Sequence, residues 1–211
     1  MIRIRPATRA DLPAIMELET HWPEGQRALR DQFEARLDKF PDGFLLACAD
    51  DGALAGSMTA YPIRYDPACP ERIGDWKAVT NNGYIRTPAE VPGANALYLV
   101  SAVVHTDYRG RDVFTRMARA AIDVARSHGL PYVAAGAVIP GYHRYVAKHG
   151  PISAPEYVFT RKGQRLVDPF IDQYRRIGFF VPDQRHVLSE YYDDSDSENH
   201  AAFVVHQVTP T

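Results

Sequence analysis

A nine-residue apolar run, Ala96–Val104, is followed after a short polar loop by a long helical pattern, Val113 to His128. The run reads as a buried strand, since its apolar side chains do not alternate with polar ones. In the second segment Phe114, Met117, Ala118, Ala121, Ile122 and Ala125 recur at helical spacing. Arg116, Arg119, Asp123 and Arg126 take the other face, with Arg119 and Asp123 spaced for an ion pair. Gly129 and Pro131 end the helix. A strand feeding a helix in this way restricts the chain to folds in which helices cover a sheet. The joint between them carries chemistry. Arg109-Gly110-Arg111 stands directly before the first turn of the helix, whose N–H groups have no partner within it. The helix dipole adds partial positive charge there, so the loop suits a pyrophosphate. Taken alone, it reads more readily as an Arg-rich connector.

The flanking pattern is mixed. Ile2 to Arg5 reads as a strand. Thr8 and Asp11 mark a helix start in which the Thr8 side chain accepts a free N–H, and Leu12, Ile15 and Met16 follow at helical spacing. A second helix is expected over 25–40, with Leu29, Phe33, Leu37 and Phe40 as its apolar stripe. Strands over 44–49 and 53–61 flank the turn Asp50-Asp51-Gly52. Residues 62–95 are rich in Pro, Gly, Asn and Asp and read as a long loop with one short strand near 83–86. A strand follows over 132–138, an irregular or partly helical stretch over 140–167, and a helix over 170–177 stopped by Gly178. Closing strands are expected from Phe179 and over 201–208, with the acidic tract 193–198 as a solvated hairpin loop. This order of elements implies an α+β or mixed α/β domain with a central sheet.

Composition narrows the function. The 211 residues suffice for one substantial domain. A net charge of −2 gives no electrostatic footprint for nucleic acid. The two cysteines, Cys48 and Cys69, lie in unrelated contexts and offer no disulfide framework. The eight histidines show no metal-ligand spacing with them, so no metal is expected. The N-terminus alternates apolar and charged residues, unlike a signal peptide, and no stretch approaches the roughly 20 apolar residues of a membrane span. A cytoplasmic protein without membrane contact is the expectation.

The segment from Val103 to Thr115 resembles the acyl-CoA-binding signature of the Gcn5-related N-acetyltransferase (GNAT) superfamily. In that signature a strand leads into Arg or Gln, two residues, Gly, one residue, then Gly or Ala. Here the Arg is Arg109, and the two small positions hold Asp112 and Phe114. The opening Ile2-Arg3-Ile4-Arg5-Pro6-Ala7-Thr8-Arg9-Ala10-Asp11-Leu12 resembles the first strand and helix of that superfamily. Tyr174-Arg175-Arg176-Ile177-Gly178-Phe179 resembles its later Tyr-x-x-x-Gly-Phe segment. A narrower similarity joins Trp76, Thr80-Asn81-Asn82-Gly83-Tyr84, Ile139-Pro140-Gly141-Tyr142-His143-Arg144-Tyr145, Pro155-Glu156-Tyr157-Val158 and Asp168-Pro169 to the GNAT domain of nitrilase-fused acetyltransferases.

The resemblance implies a single GNAT-like domain over 1–211, with a central, mostly antiparallel sheet, a splayed strand pair, flanking helices and an inserted segment near 139–167. It implies that the backbone of Ala102, Val103 and Val104 binds the donor carbonyl and pantetheine. Arg109, Gly110, Arg111, Asp112, Val113, Phe114 and Thr115 would hold the pyrophosphate, with Phe114 also packing in the core. Tyr174 takes the position of the acid that protonates the leaving sulfur, while Val167 stands where an Asn is usual. The strand 96–104 carries no carboxylate to act as base, which leaves His105 and His143 as candidates beside Tyr98 and Ser101. Trp76, Tyr84, Tyr142 and Tyr145 would line the acceptor side. The implied reaction is N-acyl transfer from acyl-CoA, acetyl or longer, to a primary amine of a small molecule or peptide. An acyl-pantetheine carrier protein is an alternative donor, because the Asp112 carboxylate would oppose a pyrophosphate unless it turns outward. An inactive acyl-thioester-binding module and a thioester decarboxylase are the alternative functions, and a homodimer is left open.

Overall fold

A computed structural model describes residues 2–209. In chain order it contains β1 (Ile2–Pro6), α1 (Leu12–Glu19), α2 (Arg30–Lys39), β2 (Phe44–Ala49), β3 (Leu54–Ile63), α3 (Trp76–Thr80), β4 (Ala96–Val104) and α4 (Val113–Ser127). There follow β5 (Tyr132–Val138), α5 (Tyr142–His149), α6 (Ala154–Phe159), β6 (Arg161–Lys162), β7 (Arg165–Leu166), α7 (Pro169–Ile177), β8 (Val187–Leu188) and β9 (Ala201–Gln207). The class is mixed α+β with mostly antiparallel strands and flanking helices, as expected. Among the described residues no helix is long and apolar enough to cross a membrane.

The chain divides into two compact units. One runs from Ile2 to Arg64, from Thr80 to Val133 and on from Val208; the other comprises Tyr65–Val79 and Ala134–Gln207. In the first unit β1, β2, β3 and β4 are neighbours in that order, each pair antiparallel. Leu12, Ile15, Phe33, Leu37, Phe44 and Leu46 close one core cluster under α1 and α2. Helix α4 buries Val113, Met117, Ala118, Ala121, Ile122 and Ala125. Its N-terminal end lies tight on β3 at Gly56. A Cβ there would stand 2.8 Å from the Val103 carbonyl oxygen and 3.0 Å from Val113 Cγ1, so only glycine allows the approach. In the second unit β9 lies between β5 and β8, β6 and β7 form a small hairpin, and α5, α6 and α7 flank them.

Several local expectations change. Helix α2 starts at Arg30, and Leu29 is 60% exposed instead of joining the stripe. Thr8 does not accept: its amide and hydroxyl both donate to Asp11 Oδ2 at 2.8 Å. No strand forms at 83–86, because Asn81, Asn82, Gly83 and Ile85 all adopt positive φ. From Phe179 only an isolated bridge forms, Phe180 to Val205. The acidic tract is not a plain hairpin loop. Ser195–Ser197 form a short 3-10 turn capped by Asp194, with Ser197 buried. Asp123 pairs with Arg126, on the turn after it, instead of with Arg119 on the turn before it. Phe114 is half-buried, outside the buried stripe of α4.

The Asp11 contacts carry a pH signature. Arg5 grips the carboxylate at 2.8 and 2.6 Å, and with Thr8 it holds the carboxyl well below the usual carboxylate range. A depressed carboxyl stabilises the fold above its unfolded pKa of roughly 4, and this contribution is lost as pH falls through the folded value. Asp11→Asn is therefore expected to cost about 1 kcal/mol at pH 7 and progressively less below pH ~4, with the gap clearly smaller at pH ~2. Urea unfolding at pH ~7 and at pH ~2 checks it; an equal gap at both contradicts the assignment.

Candidate functional site

The register between β3 and β4 slips by one residue. Thr59 faces Ser101 while Ala60 faces Leu99, so Val100 is a bulge. Burial changes at the same point. Ala96 to Val100 are buried, whereas Ser101, Ala102 and Val104 are half-buried and only Val103 returns to the core. The burial of β4 thus falls at the residues expected to meet a donor.

The loop after β4 is folded on itself. A 3-10 turn over Thr106–Tyr108 passes Arg109, and Gly110 (φ 76°) and Asp112 (φ 57°) then turn left-handed into α4. The signature's first small position is therefore a place where glycine costs nothing and Asp is among the residues that tolerate the angle. The first hydrogen bond of α4 runs from the Arg116 amide to the Asp112 carbonyl at 3.0 Å. The amides of Val113, Phe114 and Thr115 precede it and have no partner within the helix. Arg109, Gly110, Arg111 and Asp112 are all exposed. Asp112 makes no capping hydrogen bond with its side chain. The Arg111 guanidinium lies over the Tyr108 ring at 5.4 Å, and Tyr108 meets His105, which meets His21 at 4.3 Å. A positive helix end preceded by two exposed arginines, Arg109 and Arg111, suits an anion. His105 is constrained within the loop. Its Nδ1 accepts the Asp107 amide at 3.2 Å, which places the proton of the neutral ring on Nε2.

Tyr84 lies in the first unit too, where its hydroxyl donates to Asp31 on α2 at 2.8 Å. The turn around it is held by the same helix: Gln32 Nε2 donates to the Asn82 carbonyl at 2.6 Å, Arg36 Nε to that of Gly83 at 2.8 Å and Lys39 Nζ to that of Ile85 at 3.1 Å. The Asn-Asn-Gly-Tyr segment is thus a strained turn clamped by α2.

The remaining candidates belong to the second unit. Tyr174 is half-buried on α7, its ring edge-on to Phe179 at 5.3 Å, and burial pushes its phenol pKa up. It stays protonated at neutral pH and can donate. Helix α7 is set by Asp168, fully buried, whose Oδ1 accepts the amides of Phe170 and Ile171 at 2.9 and 3.1 Å. Its Oδ2 accepts the Tyr157 hydroxyl at 3.0 Å and the Gly141 amide at 3.3 Å. Tyr142 and Tyr145 both pack on the Tyr157 ring, at 5.3 and 5.2 Å, and the Tyr142 hydroxyl donates to the Ile152 carbonyl at 2.8 Å. The 139–167 segment is therefore folded around Tyr157 and Asp168. Trp76 packs edge-on against Tyr192 at 5.6 Å. His143 is exposed, and its Nδ1 hydrogen-bonds Glu198 at 3.2 Å. That contact turns Nδ1 toward Glu198. The acidic tract concealed Glu198, because nothing local distinguishes it from its solvated neighbours.

The acetyltransferase (GNAT) family model matches residues 11–147. No curated protein matches the sequence. The chain is similar in structure to the loading GNATL domain of CurA from Lyngbya majuscula, with a TM-score of 0.79 at 18% identity, over 99% of this chain and 98% of that one. It is similar to a GphF GNAT-like decarboxylase in complex with isobutyryl-CoA, with a TM-score of 0.80 at 24% identity, over 98% of this chain and 100% of that one. The ribosomal-protein-S18-alanine N-acetyltransferase from Escherichia coli aligns at a TM-score of 0.60 and 12% identity, over 100% and 96%. At these identities the likeness carries the fold.

Proposed function

The chain belongs to the acetyltransferase (GNAT) family, and from that premise we propose that it is an N-acyltransferase moving an acyl group from acyl-CoA to a primary amine. The observation that carries the reading is the joint of β4 and α4: a strand whose burial falls after a bulge, then an Arg-lined loop at the positive end of a helix.

In this reading the pyrophosphate sits on the amides of Val113, Phe114 and Thr115, with Arg109 and Arg111 closing over it. The thioester carbonyl takes hydrogen bonds from the strand backbone at Ala102 to Val104, which also hold the oxyanion as it forms. A neutral amine nitrogen attacks the carbonyl carbon. The C–S bond breaks, and the departing sulfur takes its proton from Tyr174. The extra proton on nitrogen passes to His143, oriented by Glu198, or through water. The products are an amide and a free thiol. Trp76, Tyr84, Tyr142 and Tyr145 are the candidates for the acceptor side; all four are already engaged, with Tyr192, Asp31 or Tyr157.

Asp112 favours a second donor. Its exposed carboxylate stands at the helix end where a pyrophosphate would lie, and an acyl pantetheine on a carrier protein lacks that pyrophosphate. Asp112→Gly is expected to tighten CoA binding about 3- to 10-fold, more at low salt than at high. Unchanged affinity removes the reason to prefer the carrier protein.

Mass spectrometry of the protein with acyl-CoA and a panel of amines tests the reaction. An amide product with release of CoA supports transfer. Donor binding without turnover points to a binding module, and loss of carbon dioxide from a carboxyacyl donor without amide formation points to decarboxylation.

A further inference from the structure

We infer that Arg36 is a positioning residue that holds the bulged end of β4 in the geometry presenting Ala102 to a donor carbonyl. The inference rests on the acyl-donor reading of that strand. Arg36 lies on a mostly polar helix, yet it is 0% exposed. Its Nε donates to the Gly83 carbonyl at 2.8 Å and its Nη1 to Ser101 Oγ at 3.3 Å. The guanidinium lies 4.9 Å from the Phe33 ring centre, and Nη2 is buried with no hydrogen-bond partner. The nearby Glu19, 5% exposed, favours the charge, but its Oε1 already accepts the Ala28 amide at 2.7 Å.

Stability does not account for an arginine here. Removing the guanidinium from water carries a large desolvation cost. Two hydrogen bonds to neutral acceptors return only part of it, and an orphaned buried donor adds to it. A Met of similar volume would fill the site at lower cost. What only arginine supplies is a rigid planar fork joining two fixed points. One point is Gly83, in the turn that Asp31, Gln32 and Lys39 also bind to α2. The other is Ser101, the residue between the Val100 bulge and Ala102. A bulge breaks the ladder and leaves the strand locally free to change its direction. The Ser101 hydroxyl is the handle by which α2 fixes that direction.

Calorimetric titration with two probes tests this: CoA, and S-acetonyl-CoA, a stable ketone that adds the carbonyl. The wild type is expected to bind the ketone about tenfold more tightly than CoA, as one added hydrogen bond to a positioned backbone would give. Arg36→Met and Ser101→Ala are expected to keep CoA affinity within about twofold and to lose the preference for the ketone. Arg36→Lys keeps the charge without the fork and is expected to behave like Arg36→Met; full preference in the Lys variant overturns the geometric role. Should Arg36→Met fail to fold, Ser101→Ala decides, since it removes one hydroxyl from a half-buried position. Wild-type preference in Ser101→Ala overturns the inference while leaving the donor site standing. A wild type that binds neither probe overturns the donor reading and this inference with it.

Discussion

Replacing Asp168 by Ala is expected to lower the unfolding free energy by roughly 3–5 kcal/mol, a large fraction of what a domain of this size has. Asp168 caps α7, and loss of a cap costs about 1–2 kcal/mol. The substitution also strands two buried donors, the Tyr157 hydroxyl and the Gly141 amide, at about 1–3 kcal/mol each. Asp168→Asn keeps an acceptor for the Phe170 and Ile171 amides but turns an NH2 toward Gly141, and is expected to cost about half as much. The pH dependence runs opposite to that of Asp11. Burial pushes the Asp168 carboxyl up despite its four donors, so the folded state binds its proton more readily than the unfolded chain. Its contribution is fully present below the unfolded pKa of about 4 and declines as pH rises through the folded value. Denaturant unfolding of the three proteins between pH 4 and 8 checks both claims. A gap between wild type and Asp168→Asn that widens with pH contradicts the sign.

Tyr174→Phe is expected to lower kcat about 100-fold while leaving the donor KM within about twofold. The substitution keeps the ring against Phe179 and removes only the hydroxyl. Burial holds that phenol protonated through neutral pH, so its proton is in place when a thiolate departs. An activated donor separates acid catalysis from packing. An aryl thioester leaves as a stable thiolate and needs no proton, so the Phe variant is expected to approach wild-type rates with it. An equal loss with both donors assigns Tyr174 to packing.

What the sequence revealed and concealed follows physical lines. The longer strands, β1 to β5 and β9, and α4 were legible because their hydrophobic periodicity is set by which face meets the core. The loop 109–111 could be singled out because its pattern is local, an Arg-Gly-Arg before a helix N-terminus. The turn at 80–86 was not. It places Ile85, a β-branched residue, at φ 48°, against propensity. Four side chains of α2, some fifty positions away in sequence, hold it there. Arg36 was hidden by the same rule that found the helices. On a polar helix an Arg reads as solvent-facing, and only the tertiary fold buries it. Glu198 was hidden in a tract of like charges and is distinguished only by His143, 55 residues before it. The residues that gather around Tyr157 stand apart in sequence, and their common hydrogen-bonding centre at Asp168 is a property of the fold.

Backbone amide chemical shifts, followed while acetyl-CoA and acetyl-pantetheine are titrated into the protein, test the central claim most directly. An acyl thioester on the bulged end of β4 predicts shifts at Ala102 to Val104 with both ligands, and at Arg109 to Thr115 with acetyl-CoA alone. Shifts confined to other segments, or none at Ala102 to Val104 with either ligand, would contradict the account.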